Sequence, residues 1–328
     1  MGCQTKKLYG LNASGPSPKS LTLEYFLKHG YKYIPPRGPL PVTVPGCVAG
    51  WYALHDRFGK LPMAKVLALA IRYAREGYPV TQYIAYDWQL NAEVLKQFAN
   101  YRKVFMPGGH APVEGEIFKN PELANTLEAI ARGGRDAFYK GPIAHTIADY
   151  IHAQGGFLSY DDLADYQPEW VQPLSTDYRG YDVWELPPNG QGIAVLQMLN
   201  ILEGFNIAKM RFGSADYIHT LVEAKKLAYA DRAKFYSDPR FNQIPVQWLI
   251  SKQYASERRK LIQPDHASNI YPPGEPPALR TDEHGDTTYM TAADDQGNMV
   301  SLIQTEQLPW HGLWHGSAGT GFRFAGSR

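Results

Sequence analysis

Cysteine is nearly absent. Only Cys3 and Cys47 occur in 328 residues, which excludes a disulfide framework and any cysteine pair at metal-ligand spacing. The two carry no information on compartment. Long apolar runs are missing too. No stretch reaches the ~18 consecutive apolar residues of a membrane-spanning helix, and the start MGCQTKKLYG lacks the apolar core of a secretory signal. Met1, Gly2 and Cys3 look like a lipidation start, but Lys6 stands where Ser or Thr is required. Excess charge is the third absence. Lys+Arg 33 against Asp+Glu 32 leaves +1, with no basic stripe or acidic tail, so neither nucleic acid nor an anionic membrane is the natural partner. A small-molecule or protein partner is expected instead. No internal repeat is found.

What is present is enough apolar material for a folded protein: 44% hydrophobic and 13% aromatic residues fill one large core or two modest ones. From Pro62, placed as a first-turn proline, Met63, Val66, Leu67, Ala70, Ile71 and Ala74 recur at helical spacing until Gly77 and Pro79 stop them. Asn120-Pro121 caps a second helix, NPELANTLEAIARGG, with a stripe of Leu123, Leu127 and Ile130 and an expected end at Gly133. A third follows the GQG at 190–192 and is read as facing inward through Val195, Leu196, Leu199 and Leu202. The fourth, SADYIHTLVEAKKLAYADRAKFY, starts at a Ser214 cap. It offers Ala224 and Ala228 for close packing, and its charges, Glu223 and Lys226 among them, are read as solvated pairs. Strand-like runs gather mostly toward the end. Pro-rich spans at 35–45 and 272–277 read as linkers, and the second leads through the polar stretch ALRTDEHGD, an exposed loop open to cleavage.

That loop delivers the chain to GDTTYMTAADDQGNMVSLIQT, residues 285–305. If a five-residue loop Asp294–Asn298 joins strands 287–293 and 299–305, Ala293 lies opposite Met299 and Thr287 opposite Thr305. Opposed side chains have Cβ atoms ~4.5–5.5 Å apart, so the two hydroxyls can share a hydrogen bond. A two-residue Gln296-Gly297 turn shifts the register by one and separates them. On spacing alone, the pair reads as an ordinary cross-strand contact between β-favouring residues.

Five motifs in order give that pair a second reading. GDTTYMTAADDQGNMVSLIQT resembles the start of the small subunit of gamma-glutamyltranspeptidases, also called gamma-glutamyltransferases or glutathione hydrolases. VPGCVAGW at 44–51, with the helix that follows it, is similar to the family's VPG-x-x-AGW region. GGFLSYDDLADYQPEW, YRGYDVWELPPNGQG and EAKKLAYADRAKFYSDP resemble further family elements, and the match covers most of the chain.

The resemblance implies an N-terminal-nucleophile hydrolase. Its fold class is α/β (α+β), a four-layer αββα sandwich, here incomplete. It divides into a helix-rich large-subunit segment, 1–286, and the start of a small subunit, 287–328. A precursor cuts itself between Asp286 and Thr287, and both subunits come from that one chain. Thr287 then carries its hydroxyl and a free α-amino group, which titrates at ~7.7–8 and serves as the base, while Thr305 orients the hydroxyl. The implied reaction is acyl transfer from a γ-glutamyl amide such as glutathione to water or an amino-acid acceptor, with no metal or organic cofactor. A related amide acylase of the same fold is the near alternative. Periplasmic or secreted localisation is what the family suggests, although the start of this chain shows no signal peptide.

Departures from the family pattern carry expectations of their own. A substrate-holding Asn is expected two residues after the second-strand Thr, and Gln307 stands there; Pro16 stands where many relatives carry an Arg for the substrate α-carboxylate. EQLPWHGLWHGSAGTGFRFAGSR does not continue as the family does, and the N-terminal segment and the oxyanion-stabilising part of the small subunit are unmatched. Codons for Glu306, Gln307 and Leu308 read one base later can give Ser-Asn-Phe, so a frame slip is expected after Thr305, with a divergent end as the other reading. The chain as written is expected to be catalytically dead, and an inactive remnant with at most a binding or structural role is the alternative from a different class.

Overall fold

The computed structural model describes residues 7–274 and 287–305. Its first part opens with strand β1, Gly10–Asn12, and a short helix α1, Leu23–Lys28, capped by the Thr22 hydroxyl. Helices α2 (Cys47–Phe58) and α3 (Met63–Glu76) follow, then β2 (Tyr78–Pro79), α4 (Gln82–Leu95), α5 (Ala99–Phe105) and β3 (Ile117–Phe118). Next come α6 (Pro121–Tyr139), α7 (Pro142–Ala153), α8 (Tyr160–Ala164), β4 (Glu169–Val171) and the hairpin β5 (Leu174–Tyr178) with β6 (Tyr181–Glu185). Four more helices, α9 (Gly192–Leu202), α10 (Ala215–Phe235), α11 (Val246–Leu249) and α12 (Lys252–Arg259), precede the last hairpin, β7 (Thr287–Ala293) with β8 (Met299–Thr305).

Two main cores organise these elements. In the first, Val48, Ala49, Leu67, Leu127, Ile130, Phe138, Ile151, Leu158 and Leu163 bring α2, α3, α6, α7 and α8 together. The second lies under α9 and α10: Ala224, Leu227, Ile201 and Leu202 pack with Tyr271, while Ile193 and Leu196 pack against Leu249 and Tyr254. Ala224 and Ala228 are fully buried, as their small size suggests for close helix packing. The architecture is mixed helix and strand, and the described strands pair two by two, β1 with β4, β2 with β3, β5 with β6 and β7 with β8, all antiparallel.

Several sequence expectations change here. Strands are spread along the chain rather than gathered at its end: β1 to β4 are pieces of two or three residues, too short to show alternation, and the β5–β6 hairpin lies at mid-chain. Helix α6 breaks where Gly133 is expected to end it: Gly134 takes a positive φ of 70°, a conformation glycine adopts freely. What the sequence does not show is the second helical piece that runs on to Tyr139, with Phe138 and Tyr139 buried in the core. In α9, Val195 is 43% exposed, while Gln197 and Asn200 are buried; Asn200 donates to the Ile250 carbonyl at 2.6 Å and accepts from Thr176 at 2.7 Å. The span 35–45 is no linker at its end, since Leu40, Val42 and Val44 are buried. Glu223 is not solvated but fully buried, with Lys226 Nζ 2.5 Å from its carboxylate.

Candidate active site

The last hairpin carries the threonine pair, and its loop explains its register. Asp294 Oδ1 accepts from the backbone amides of Gln296 at 3.0 Å and Asn298 at 2.8 Å, and Oδ2 accepts from the Asn298 side chain at 2.8 Å. Gly297 supplies the positive φ, 79°, that closes such a turn. The loop therefore has five residues, Ala293 pairs with Met299, and Thr287 pairs with Thr305. The two-residue alternative is excluded by that register. Asp286 and Gln307 lie outside the described residues.

Helix α2 is the platform for this hairpin. Cys47 Sγ and Trp51 Nε1 both donate to Gln304 Oε1, each at 3.2 Å. Gln304 immediately precedes Thr305 and pairs with Thr288. At the other end of the hairpin, the Asn298 side chain first, then nearby amides and the charge of Lys60, hold the Asp294 carboxyl below its ordinary value. Cys47 and Trp51 lie in the first two turns of α2, so the hairpin meets that end of the helix through Gln304.

The start of α2 is itself fixed by buried tyrosines. Tyr139, wholly inaccessible, donates its hydroxyl to the Pro45 carbonyl and accepts from the Ala49 amide at 3.1 Å. Gly46 touches the Ala13 carbonyl so closely that a Cβ there would overlap it. Tyr166 donates to the Ser14 carbonyl at 3.4 Å, and the Val44 amide donates to the Pro16 carbonyl at 2.9 Å. Residues 12–16 are thereby held against the first turn of α2. Asn12 orders the same stretch: its side chain donates to Asn189 at 2.7 Å and accepts from the Ser14 amide at 3.0 Å. Pro16, half-buried, is thus an integral part of this corner. Burial alone pushes the Cys47 thiol up to about 12, so it serves as a neutral donor rather than a nucleophile. Among the described residues no cluster of His, Cys, Asp and Glu could hold a metal ion.

Residues 2–325 match the protein-family model described as Gamma-glutamyltranspeptidase. The chain belongs to the gamma-glutamyltranspeptidase family. It is 37% identical over 303 residues to the Glutathione hydrolase-like YwrD proenzyme of Bacillus subtilis (strain 168), covering 92% of this chain and 56% of that protein. With the Acylase ACY 1 proenzyme of Pseudomonas sp. (strain SE83) it shares 41% identity over 269 residues, 82% of this chain and 47% of the relative. The crystal structure of cephalosporin acylase from Bacillus halodurans matches with a TM-score of 0.85 at 40% identity, covering 97% of this chain and 58% of the acylase. The chain spans about half the length of the curated relatives it matches.

Sequence reading picked out VPGCVAGW but gave no task to any residue within it. The structure gives Cys47 and Trp51 one, through Gln304. The signal was weak because a Gln on a strand and a Trp on a helix, over 250 positions apart, have no shared pattern.

Proposed function

We propose that this family member performs γ-glutamyl acyl transfer or hydrolysis, with Thr287 as nucleophile after the chain is cut between Asp286 and Thr287. The observation that carries the reading is the register that sets Thr287 opposite Thr305 at the open end of a hairpin held on α2. A threonine hydroxyl is a weak nucleophile near neutral pH. As an N-terminus, Thr287 brings its own amine as general base, and Thr305 across the ladder orients the hydroxyl. Attack on a γ-glutamyl amide forms a Thr287 ester and releases the amine, which takes the proton gained by the base. Water or an amino acid then takes the acyl group.

On this reading residues 1–286 form the large-subunit segment, residues from 287 begin the small subunit, and the whole adopts the four-layer αββα arrangement. The substrates are small γ-glutamyl amides, with no cofactor required. A second reading has an observation of its own: the 41% identity to an acylase and the 0.85 TM-score to a cephalosporin acylase favour a related amide as substrate.

Because the chain spans 58% of the Bacillus halodurans acylase, turnover is tested in a protein that carries residues 1–305 followed by the acylase's own corresponding continuation. Amine release from a γ-glutamyl anilide, abolished by Thr287→Ala, supports γ-glutamyl transfer. Release from a cephalosporin side-chain amide alone supports the acylase reading. No release from either, with the chain uncut, supports the inactive remnant.

A further inference from the structure

The threonine pair sits where a hairpin is least held. Strands β7 and β8 are paired from Ala293 with Met299, beside the turn, to Thr287 with Thr305 at the open end. A two-stranded hairpin is marginally stable by itself, and the Asp294 turn fixes the end far from the threonines. The open end therefore needs a hold of its own. One pair in from it, Gln304 stands opposite Thr288. Along β8, Leu302 and Gln304 are half-buried, whereas Met299, Val300, Ser301 and Ile303 are exposed.

The hold is one oxygen that takes two donors. Trp51 Nε1 and Cys47 Sγ, one turn apart on α2, both reach Gln304 Oε1 at 3.2 Å. An indole nitrogen only donates and a carbonyl oxygen has two lone pairs, so the amide oxygen faces α2 and is filled by this pair. The donors are themselves fixed. Tyr139 bonds the Pro45 carbonyl and the Ala49 amide, Gly46 packs on the Ala13 carbonyl, and Cys47, Val48 and Ala49 belong to the larger core. Contacts therefore run from that core through the first turns of α2 and Gln304 to the residue beside Thr305, all within the described residues.

We propose that Trp51 and Gln304 are positioning residues for Thr287 in acyl transfer, their bond holding the open end of the hairpin on α2. The proposal rests on the reading of Thr287 as nucleophile given above. In the cut, Thr287 is already bonded to the residue it attacks. The amide attacked in acyl transfer belongs to a separate molecule, so its distance from Thr287 depends on where the open end of the hairpin sits. Reacting atoms must lie ~3–3.5 Å apart and aligned, and a misplacement of ~1 Å costs ~10²-fold in rate. An end that is loosened rather than displaced spends part of its time in place, so the expected loss is smaller, about tenfold.

The test compares wild type with Trp51→Phe, Gln304→Leu and Gln304→Glu, and with Ile201→Val in the second core as a control for lost stability. Turnover is measured in the protein that continues residues 1–305 as the Bacillus halodurans acylase does, on a γ-glutamyl anilide and on a cephalosporin side-chain amide. Trp51→Phe and Gln304→Leu should lower kcat by about tenfold with KM within about twofold. Gln304→Glu, whose carboxylate still accepts from both donors, should stay within about threefold of wild type. Ile201→Val should unfold more easily and keep the wild-type kcat. In the 328-residue chain itself, backbone hydrogen exchange over 303–305 should rise in Trp51→Phe and Gln304→Leu and stay at wild-type values over 293–299. A variant that misfolds is recognised by faster exchange throughout, and the other of the two then carries the test. Unchanged kcat, or unchanged exchange over 303–305, overturns the proposal alone. So does a Gln304→Glu protein as slow as Gln304→Leu, or a control slowed as much as the two variants. A wild type that turns over neither amide overturns it together with the nucleophile reading.

Discussion

Replacing Gln304 by Leu keeps the side-chain size and removes the acceptor that joins the hairpin to α2. Two bonds are lost, one from the indole of Trp51 and one from the thiol of Cys47. A neutral hydrogen bond contributes ~0.5–1.5 kcal/mol net, and a thiol is the weaker donor of the two. Together they are worth about 1–2 kcal/mol. Urea unfolding of wild type and Gln304→Leu at one pH measures this loss. Trp51→Phe and the double variant complete a cycle that isolates the indole bond. A coupling of about 1 kcal/mol is expected. Additivity within about 0.3–0.5 kcal/mol would show that the hairpin is not held on α2 by this pair, and the placement of Thr305 would lose its support.

Tyr139→Phe strips the hydroxyl that serves both Pro45 and Ala49 in a fully buried setting, so unfolding should become easier by about 1–3 kcal/mol, read by denaturant titration. Cys47, with its thiol pushed up to about 12 by burial, should resist iodoacetamide at pH 8 in the folded protein and react once unfolded, as mapped by peptide mass. Thr305→Val keeps the side-chain shape at the position opposite Thr287. Turnover of a γ-glutamyl anilide by the continued chain should fall while the unfolding midpoint stays near wild type; unchanged turnover would remove Thr305 from the site.

Legibility in the sequence followed the distance over which each signal acts. Helix α3 was visible because its apolar spacing and its Gly77 stop are local, and it spans Met63–Glu76. The register of the last hairpin was within reach because Asp294, Gly297 and Asn298 encode a turn in five residues. The break in α6 was local as well, since the Gly133-Gly134 pair carries it. The second helical piece, up to Tyr139, was not legible, because it depends on the burial of Phe138 and Tyr139 in the core. Glu223 and Asp231 were hidden more deeply. A charged residue four or eight positions from other charges reads as a solvated face, and the partners that make these two buried, Tyr271 and Gly274, lie more than forty residues on. Family motifs named the stretch without saying why its charges are there.

The most direct check on Thr287 as nucleophile is the N-terminal residue of the smaller fragment after the purified protein has matured. The expected fragment begins at Thr287, and Thr287→Ala leaves one uncut chain. A fragment that begins at any other residue, or a Thr287→Ala protein that is still cut at the same bond, would contradict the assignment.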